Sequence, residues 1–480
     1  MPVPPSSKGV SPLLNCVNYN APRPDFCFIG IMYYGETHMI NIMDFGAAGD
    51  GAALNTESFR QAVAAAKSAG QAVLVPAGCF LTGTIDLQGV SLHLEPGAVI
   101  KGSPNREDYP VMPYQHNELG PLQALIVCLG GENVVIDGEG TIDLNGSSFY
   151  DFSRPLVPPS RVPFSPEQLE ECTVDREWRP TQSIFFYQVK NLTLRGVTLL
   201  DAPCWTLTLA ECENVKALGL TIDTNLRVPN DDGIHVCSCD GVIISGCHIT
   251  SGDDCIAITG ITDWAKPCQN VVVSDCVLRS CSKALVLGYI YSHVRNVLIS
   301  NVIIQNSNRG LTFMCNDPGG LVENVRAVNL VIDTRVRAGN WWGNGEAIFF
   351  MGVKHDSAIP PEQNPCRDTP VNFRNIIIDG AICASGKCHW RGGRRVQLRP
   401  CGLAGHYRGK EGLGQPGLER PYLRPGSLST DCRGTGRRSR ILEKGWRPDP
   451  GECTPSALPW GRAENRHRIK RRAYENCWLH

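Results

Sequence analysis

An all-β fold is what this sequence predicts: a single-stranded, right-handed parallel β-helix with a short N-terminal capping helix. Three observations carry that expectation. One phrase recurs along the chain: NVVIDGEGTI from Asn133, NLTLRGVTL from Asn191, NVKALGLTI from Asn214, GVIISGCHI from Gly241, NVVVSDCVL from Asn270, NVLISNVII from Asn296, NVRAVNLVI from Asn324 and NIIIDGAIC from Asn375. From Asn191 to Asn324 the steps are 23, 27, 29, 26 and 28 residues. No helical pattern separates the copies. A strand repeat near 25 residues fits stacked β-helix coils. Leucine-rich repeats would show LxxLxLxxN, and propeller blades would need about 40–45 residues.

The elements follow in order. Residues 1–38 carry Pro2, Pro4, Pro5, Pro12, Pro22 and Pro24 with no clear period, and read as a leader. From Met39 the text becomes NIMDFGAAGDG and then NTESFRQAVAAAKSAG. Thr56 is the expected N-cap, Phe59, Val63 and Ala66 share one face, and Gly70 is the stop. This helix is expected to cover the open end of the stack. AVLVPAG, GTIDL and SLHLEPGAVI follow as short strands between turn residues. Between the first two copies of the phrase lies an insertion, about Asp151 to Pro180, with Pro155, Pro158, Pro159 and Pro163. It is expected as a loop beside the cleft that blocks one end. The repeat domain is placed at 39–385. Residues 386–480 lose the repeat and become Arg-, Gly- and Pro-rich, so they are read as an out-of-frame translation or a disordered tail, without catalytic chemistry.

Composition narrows the function. A net charge of −1 conceals two halves: residues 386–480 sum to +13 and the remainder to −14. An Arg-rich tail with Trp and Tyr suits nucleic acid, but the abrupt change in the middle of a coil favours the other readings, so no nucleic-acid partner is expected. No run reaches the ~18–20 apolar residues of a membrane span, so no membrane partner is expected either. No secretory signal pattern opens the chain, which points to the cytoplasm; secretion is the alternative if the true start lies elsewhere. The 22 Cys show no paired zinc spacing. Those in strands (Cys237, Cys239, Cys247, Cys255, Cys268, Cys276 and Cys281) are expected as buried, reduced thiols, with disulfides the alternative for a secreted chain.

Equivalent positions of successive coils stack about 4.8 Å apart, so aligning the repeats identifies neighbours. One strand per coil aligns as TLTL, GIHV, CIAI, ALVL, GLTF and AIFF. The residue before each strand forms a column of Trp205, Asp232, Asp254, Lys283, Arg309 and Glu346. One step earlier stand Cys204, Asp231, Asp253, Ser282, Asn308 and Gly345. Interior positions form an aliphatic ladder of Leu207, Ile234, Ile256, Leu285, Leu311 and Ile348. Four carboxylates, Asp231, Asp232, Asp253 and Asp254, thereby converge on two adjacent coils, flanked by Lys283 and Arg309 and by Trp205. Carboxyls this close cannot all ionise freely, and one protonated beside one ionised carboxyl is what hydrolysis of a glycosidic bond requires. Asp-Asp-Gly and Gly-Asp-Asp are also turn chemistry, and stacked aspartates also suit Ca²⁺. Those two readings stay open here. His235 is expected as a packed or partly exposed histidine, on the same face as Ala257 and Val286. Tyr289 and Tyr291 are candidates for lining the groove, and His293 carries no separate signal.

At these residues the chain resembles the polygalacturonase family, glycoside hydrolase family 28. The resemblance runs from about Met39 to Cys383. It includes a bacterial-type opening, DFGAAGDG…NT…VPAGCFLTGTI, and the GEGTID turn at Gly138 to Asp143. The family's Asn-Thr-Asp-Gly stands here as Asn230-Asp231-Asp232-Gly233, and its Gly-Asp-Asp is Gly252-Asp253-Asp254. The family's Gly-His-Gly falls at Ser282-Lys283-Ala284 and its Arg-Ile-Lys at Thr312-Phe313-Met314, so Lys283 and Arg309 are expected to supply charge from the neighbouring column. The resemblance implies a pectin-lyase-like solenoid. It further implies inverting hydrolysis of pectin-derived galacturonate- or rhamnogalacturonan-type oligosaccharides, with no metal or other cofactor. By resemblance Asp253 is the general acid, and Asp232 with Asp254 activates water. The expected substrate-binding set is Lys283, Arg309, Asn230, Trp205, Asp231, Glu346 and Trp342. In NWWGNGEAIFF, Trp341 or Trp342 is a candidate sugar platform, with burial under the insertion as the alternative. The expected partner is a polysaccharide or oligosaccharide. Two alternatives stand beside the hydrolase: a Ca²⁺-dependent β-helix lyase with Lys283 or Arg309 as base, and a non-catalytic carbohydrate-binding β-helix. Sequence leaves the oligomeric state undetermined.

Overall fold

The computed structural model describes residues 39–116, 119–160, 162–260, 266–289, 292–315, 320–352 and 372–383, with the strand backbone at 387–391, 396–398 and 402–403. The expected leader and most of the expected tail lie outside the described residues. Those described form a parallel β-helix. Each coil contributes up to three strands, and each strand pairs in parallel with its equivalent in the next coil. Asp240–Ser245 pairs with Cys268–Ser274, His248–Ser251 with Val277–Ser280, and Ile256–Thr259 with Lys283–Tyr289. Three long sheets result, wrapped around one apolar core.

Asparagine explains the repeated phrase. Asn133, Asn191, Asn214, Asn270, Asn296, Asn324 and Asn375 all hold φ between +51° and +60°, and Gly241 takes the same left-handed turn at +74°. Asn tolerates this region because its short amide hydrogen-bonds locally. Its amides also bond along the stack: Asn214 Nδ2 donates to Asn191 Oδ1 at 2.7 Å and Asn375 Nδ2 to Asn324 Oδ1 at 3.0 Å. Each copy therefore turns one coil, and the Asn copies also tie it to a neighbour.

The helix α1, Thr56–Ala69, buries Phe59, Ala62, Val63 and Ala66 against the first coils and ends at Gly70, φ +64°. Its N-cap is Asn55 and not the expected Thr56. The Asn55 amide donates instead to the carbonyls of Ala48, Ala53 and Leu81, while Thr56 Oγ1 accepts from Gly83 N at 2.8 Å. Both side chains fasten the helix to the stack.

The third sheet carries the site. Six of its strands are Leu207–Ala210 (β1), Ile234–Cys237 (β2), Ile256–Thr259 (β3), Lys283–Tyr289 (β4), Arg309–Cys315 (β5) and Glu346–Gly352 (β6). Their register is the expected one: Leu207, Ile234, Ile256, Leu285, Leu311 and Ile348 are successive partners. Two residues on, Leu209, Val236, Ile258, Leu287, Phe313 and Phe350 form a second interior ladder, closed by Phe313 and Phe350 stacked at 4.4 Å. Each such side chain buried contributes roughly 1.5–3 kcal/mol, so the two ladders fix which side of the sheet faces outward. The strand cysteines are buried thiols: Cys239, Cys247, Cys255, Cys268 and Cys276 lie in this core, Cys237 in a second apolar cluster, and Cys281 is buried as well.

Pairing also runs past residue 385. Lys387–Arg391 lies on β6, Val396–Leu398 on Ile376–Ile378, and Gly402–Leu403 on Ile382–Cys383. Main-chain hydrogen bonds extend the stack there although the side-chain pattern has ended. The insertion is not a plain loop. Asp151–Pro155 pairs antiparallel with Val174–Asp175, and a single helical turn at Pro166–Leu169 (α2) is closed by a Ser165–Gln168 capping box.

Candidate active site

The turns preceding β2 and β3 build the site, and their glycines are required by close approach. A Cβ on Gly233 would lie 2.5 Å from Cys255 O, and one on Gly252 would lie 2.4 Å from Val228 O. The column is bonded from coil to coil through its main chain. Thr206 N donates to Asp232 O at 2.7 Å, Gly233 N to Asp254 O at 2.8 Å and Cys255 N to Lys283 O at 3.1 Å. Asp232, Asp254 and Lys283 are thus held one above another.

Asp232, Asp253 and Asp254 are 3%, 5% and 7% exposed. Asp253 and Asp254 share Lys283, and Asp232 faces a different group. The Lys283 ammonium lies 2.7 Å from Asp254 Oδ1 and 3.7 Å from Asp253 Oδ1. Asp254 Oδ1 also accepts from Ser282 Oγ at 3.3 Å and Lys283 N at 3.2 Å. Asn230, itself in a left-handed turn at φ +60°, donates from Nδ2 to Asp253 Oδ2 at 3.4 Å. Asp232 Oδ2 faces His235 Nδ1 at 3.1 Å.

Burial dominates the electrostatics. Burial raises Asp254 to about 7, with Lys283 opposing the rise and Asp253 adding to it. Asp232 stands well above the usual carboxylate range, through burial and then repulsion from Asp253 and Asp254. Burial would lower the Lys283 ammonium, but Asp254 and Asp253 hold it above its ordinary value, so it is charged. At neutral pH the cluster therefore holds both protonated and ionised carboxyl groups.

Asp231, expected against substrate, is fully buried beneath the turn. Its Oδ2 accepts from Thr224 Oγ1 at 2.5 Å and its Oδ1 from Asp253 N at 2.8 Å. Ser251 and Ser280 hydroxyls hold Asp253 O from the other side, at 2.8 and 2.6 Å. Asp231 thus fixes the backbone of Asp253 and does not face the cleft. Burial raises its carboxyl to about 8. Such a group binds a proton in the folded chain and releases it on unfolding, so the stability it contributes below pH ~4 is lost as pH rises towards 8. Asp231→Asn is expected to narrow its Tm deficit against the parent as pH goes from 5 to 8, measurable by thermal melts across that range. A constant deficit would contradict the assignment.

Three other expected contacts are arranged differently. Arg309 Nε and Nη2 each lie 3.1 Å from a Glu346 carboxylate oxygen, and its guanidinium stacks 3.7 Å over Phe349. Arg309 and Glu346 thus form a fork-to-carboxylate pair, and Glu346 Oε2 accepts from Asn344 N as well. Trp205 is not at the rim. It is 4% exposed and stacks on His235 at 3.6 Å, because its strand joins a second apolar cluster with Phe185 and Cys237. Of the tryptophan pair, Trp341 is buried and donates from Nε1 to Glu171 O at 2.6 Å. Trp342 is half-buried, with the Lys283 ammonium 5.7 Å over its ring. Tyr289 packs beside Ala257, Val286 and Met314, and Tyr291 lies outside the described residues. His293 Nε2 meets Glu323 Oε1 at 3.1 Å, away from the column.

Sequence reasoning missed Arg179 and underrated His235. Arg179, buried at the end of the insertion, donates from Nη2 to Asn230 Oδ1 at 3.0 Å and from Nη1 to the carbonyls of Pro203 and Pro229 at 2.7 Å. It links the insertion to the turn that carries Asp232. Nothing periodic marks it out among the four arginines of that Pro-rich stretch. The His235 position was legible in the register, but its reach back to Asp232 was not.

Residues 66–334 match the sequence model of the family described as Glycosyl hydrolases family 28. The chain belongs to that family. As a family 28 member it is a polygalacturonase-like glycoside hydrolase. It is 27% identical to a probable polygalacturonase of Vitis vinifera over 372 residues, 73% of this chain and 70% of that protein. It is 30% identical to a polygalacturonase of Malus domestica over 46% of this chain and 43% of that one. Among solved structures, the hyperthermoactive exopolygalacturonase of Thermotoga maritima superposes with a TM-score of 0.53 at 25% identity, covering 72% of this chain and 87% of that one. Polygalacturonase from Erwinia carotovora shares the fold, with a TM-score of 0.52 at 19% identity over 74% and 96%.

Proposed function

We propose that this family 28 hydrolase cleaves O-glycosidic bonds in pectin-derived oligosaccharides, of galacturonate or rhamnogalacturonan type, by inverting acid/base catalysis. The observation that carries the reading is the unequal placement of Lys283, 2.7 Å from Asp254 and 3.7 Å from Asp253. An ammonium closest to Asp254 favours the ionised form there, which suits a base, and leaves the acid role to Asp253. Asp232, pushed towards its protonated form by burial and by Asp253 and Asp254, orients the water from the preceding coil. Water then attacks the anomeric carbon as Asp254 takes up its proton, while Asp253 protonates the departing oxygen. Trp342, half-buried beside Lys283, is the platform on which a sugar ring stacks. The names of the grapevine, apple and Thermotoga proteins support a pectic substrate. A lyase would need Lys283 or Arg309 neutral as a base; both are engaged by carboxylates, which supports hydrolysis.

The test is a panel of homogalacturonan and rhamnogalacturonan oligosaccharides, following reducing ends and unsaturated-product absorbance together. Reducing ends without unsaturation are expected. Release of single terminal units from long chains would support the insertion closing one end of the cleft, and random internal cleavage would refute that closure. Unsaturated product would overturn the acid/base assignment.

A further inference from the structure

We propose that Arg179 is a positioning residue for the reaction, setting the Asn230 amide so that it presents a donor to the Asp253 carboxyl. The inference deepens the hydrolase reading and rests on it. Arg179 stands at the end of the insertion, apart from the column that carries the carboxyls. Its neighbour Trp178 packs against Tyr109 and Phe149, with ring centroids 5.9 and 5.5 Å away. Pro180 follows and disfavours a helical turn at Arg179. The buried guanidinium is thereby delivered to the turn that precedes β2. Nη1 donates to the carbonyls of Pro203 and Pro229, both at 2.7 Å, and Nη2 donates to Asn230 Oδ1 at 3.0 Å. Pro229 and Asn230 are successive residues, so one side chain grips both the backbone and the amide of that turn.

The direction of the amide follows from what a guanidinium can do. Arginine carries five N–H donors and no acceptor. The end of Asn230 that faces Arg179 is therefore its oxygen, and the opposite end is the NH₂ group. That group donates to Asp253 Oδ2 at 3.4 Å. A flipped amide would set its NH₂ against the guanidinium and its oxygen against a carboxyl oxygen, and both bonds would be lost. The Lys283 ammonium approaches the other oxygen of Asp253, Oδ1, at 3.7 Å. Asn230 and Lys283 thus address the two oxygens of the acid separately. A carboxyl that must meet a departing oxygen gains from such a hold, because a misplacement of about 1 Å costs on the order of 100-fold in rate.

Two variants, their combination and one crystal structure test this. Arg179→Lys keeps a buried cation for the two proline carbonyls and removes the second nitrogen that Asn230 needs. Asn230→Gly removes the amide and suits the left-handed backbone there, φ +60°. It leaves the clamp on the carbonyls in place, so it reads the amide even where Arg179→Lys does not fold. With the pectic oligosaccharide that the parent cleaves best, Arg179→Lys is expected to lose about 100-fold in kcat with KM within twofold, and Asn230→Gly to lose at least as much kcat. The double variant is expected to lose no more than Asn230→Gly alone, because Arg179 acts through that amide. A crystal structure of Arg179→Lys is expected to show the Asn230 amide turned away from Asp253. Parental kcat in either single variant, losses that multiply in the double variant, or an amide still seated on Asp253 in that crystal structure would each overturn the proposal. A parent that cleaves none of the panel would overturn the hydrolase reading, while the crystal structure still decides whether Arg179 sets the amide.

Discussion

Replacing Asp253 with Asn is expected to lower kcat by at least about 1,000-fold on any pectic oligosaccharide the parent cleaves, with Tm within a few degrees of the parent. General acid catalysis contributes about 10²–10⁴-fold, and protonation of a leaving sugar oxygen lies at the upper end because no other group carries it. The fold tolerates the change because the backbone of Asp253 is fixed independently of its side chain. Asp231 Oδ1 holds its N–H, and the Ser251 and Ser280 hydroxyls hold its carbonyl. An amide of the same shape therefore sits where the carboxyl was and has no proton to give. The measurement is the reducing-end rate alongside a thermal melt. Undiminished turnover in a folded variant would remove Asp253 from the reaction and leave the cluster as turn chemistry.

Lys283→Met is expected to cost about 100-fold in kcat at pH 6 and to move the acidic limb of the pH–rate profile upward. Asp254 titrates at about 7 with the ammonium already opposing its burial. Without that charge, burial and Asp253 remain, both of which raise it further. The base is then protonated over a wider range, and activity appears only at higher pH. The direction follows from the base role: the rate rises as the base loses its proton, so raising its pKa shifts the rise to higher pH. The pH dependence of kcat for both proteins measures this. A profile that only drops, without shifting, would make Lys283 a substrate contact.

Much of the scaffold was legible in the residues. The Asn that opens each repeat has a physical cause, since a left-handed corner admits few residue types, so its spacing reported the coil length directly. Strict two-residue alternation fixed the register, because a one-residue slip would turn Leu207, Ile234 and Ile256 outward. Register in turn placed Asp232, Asp254 and Lys283 in one column. Sequence thus determined the fold class and which residues of successive coils are neighbours, as both depend on local backbone preference and on burial.

What each side chain does there was decided by tertiary structure. Register names a neighbour but does not say where a long side chain ends. Arg309 turned to Glu346, Asp231 went under the turn, and Trp205 went inward onto His235. Arg179 reaches Asn230 across 51 residues of sequence, from an insertion with no period. Such contacts depend on rotamers, on which charges find partners when water is excluded, and on loops whose path no repeat dictates. The sequence set the ladder on which the carboxyls stand; burial and partner choice set the protonation of each.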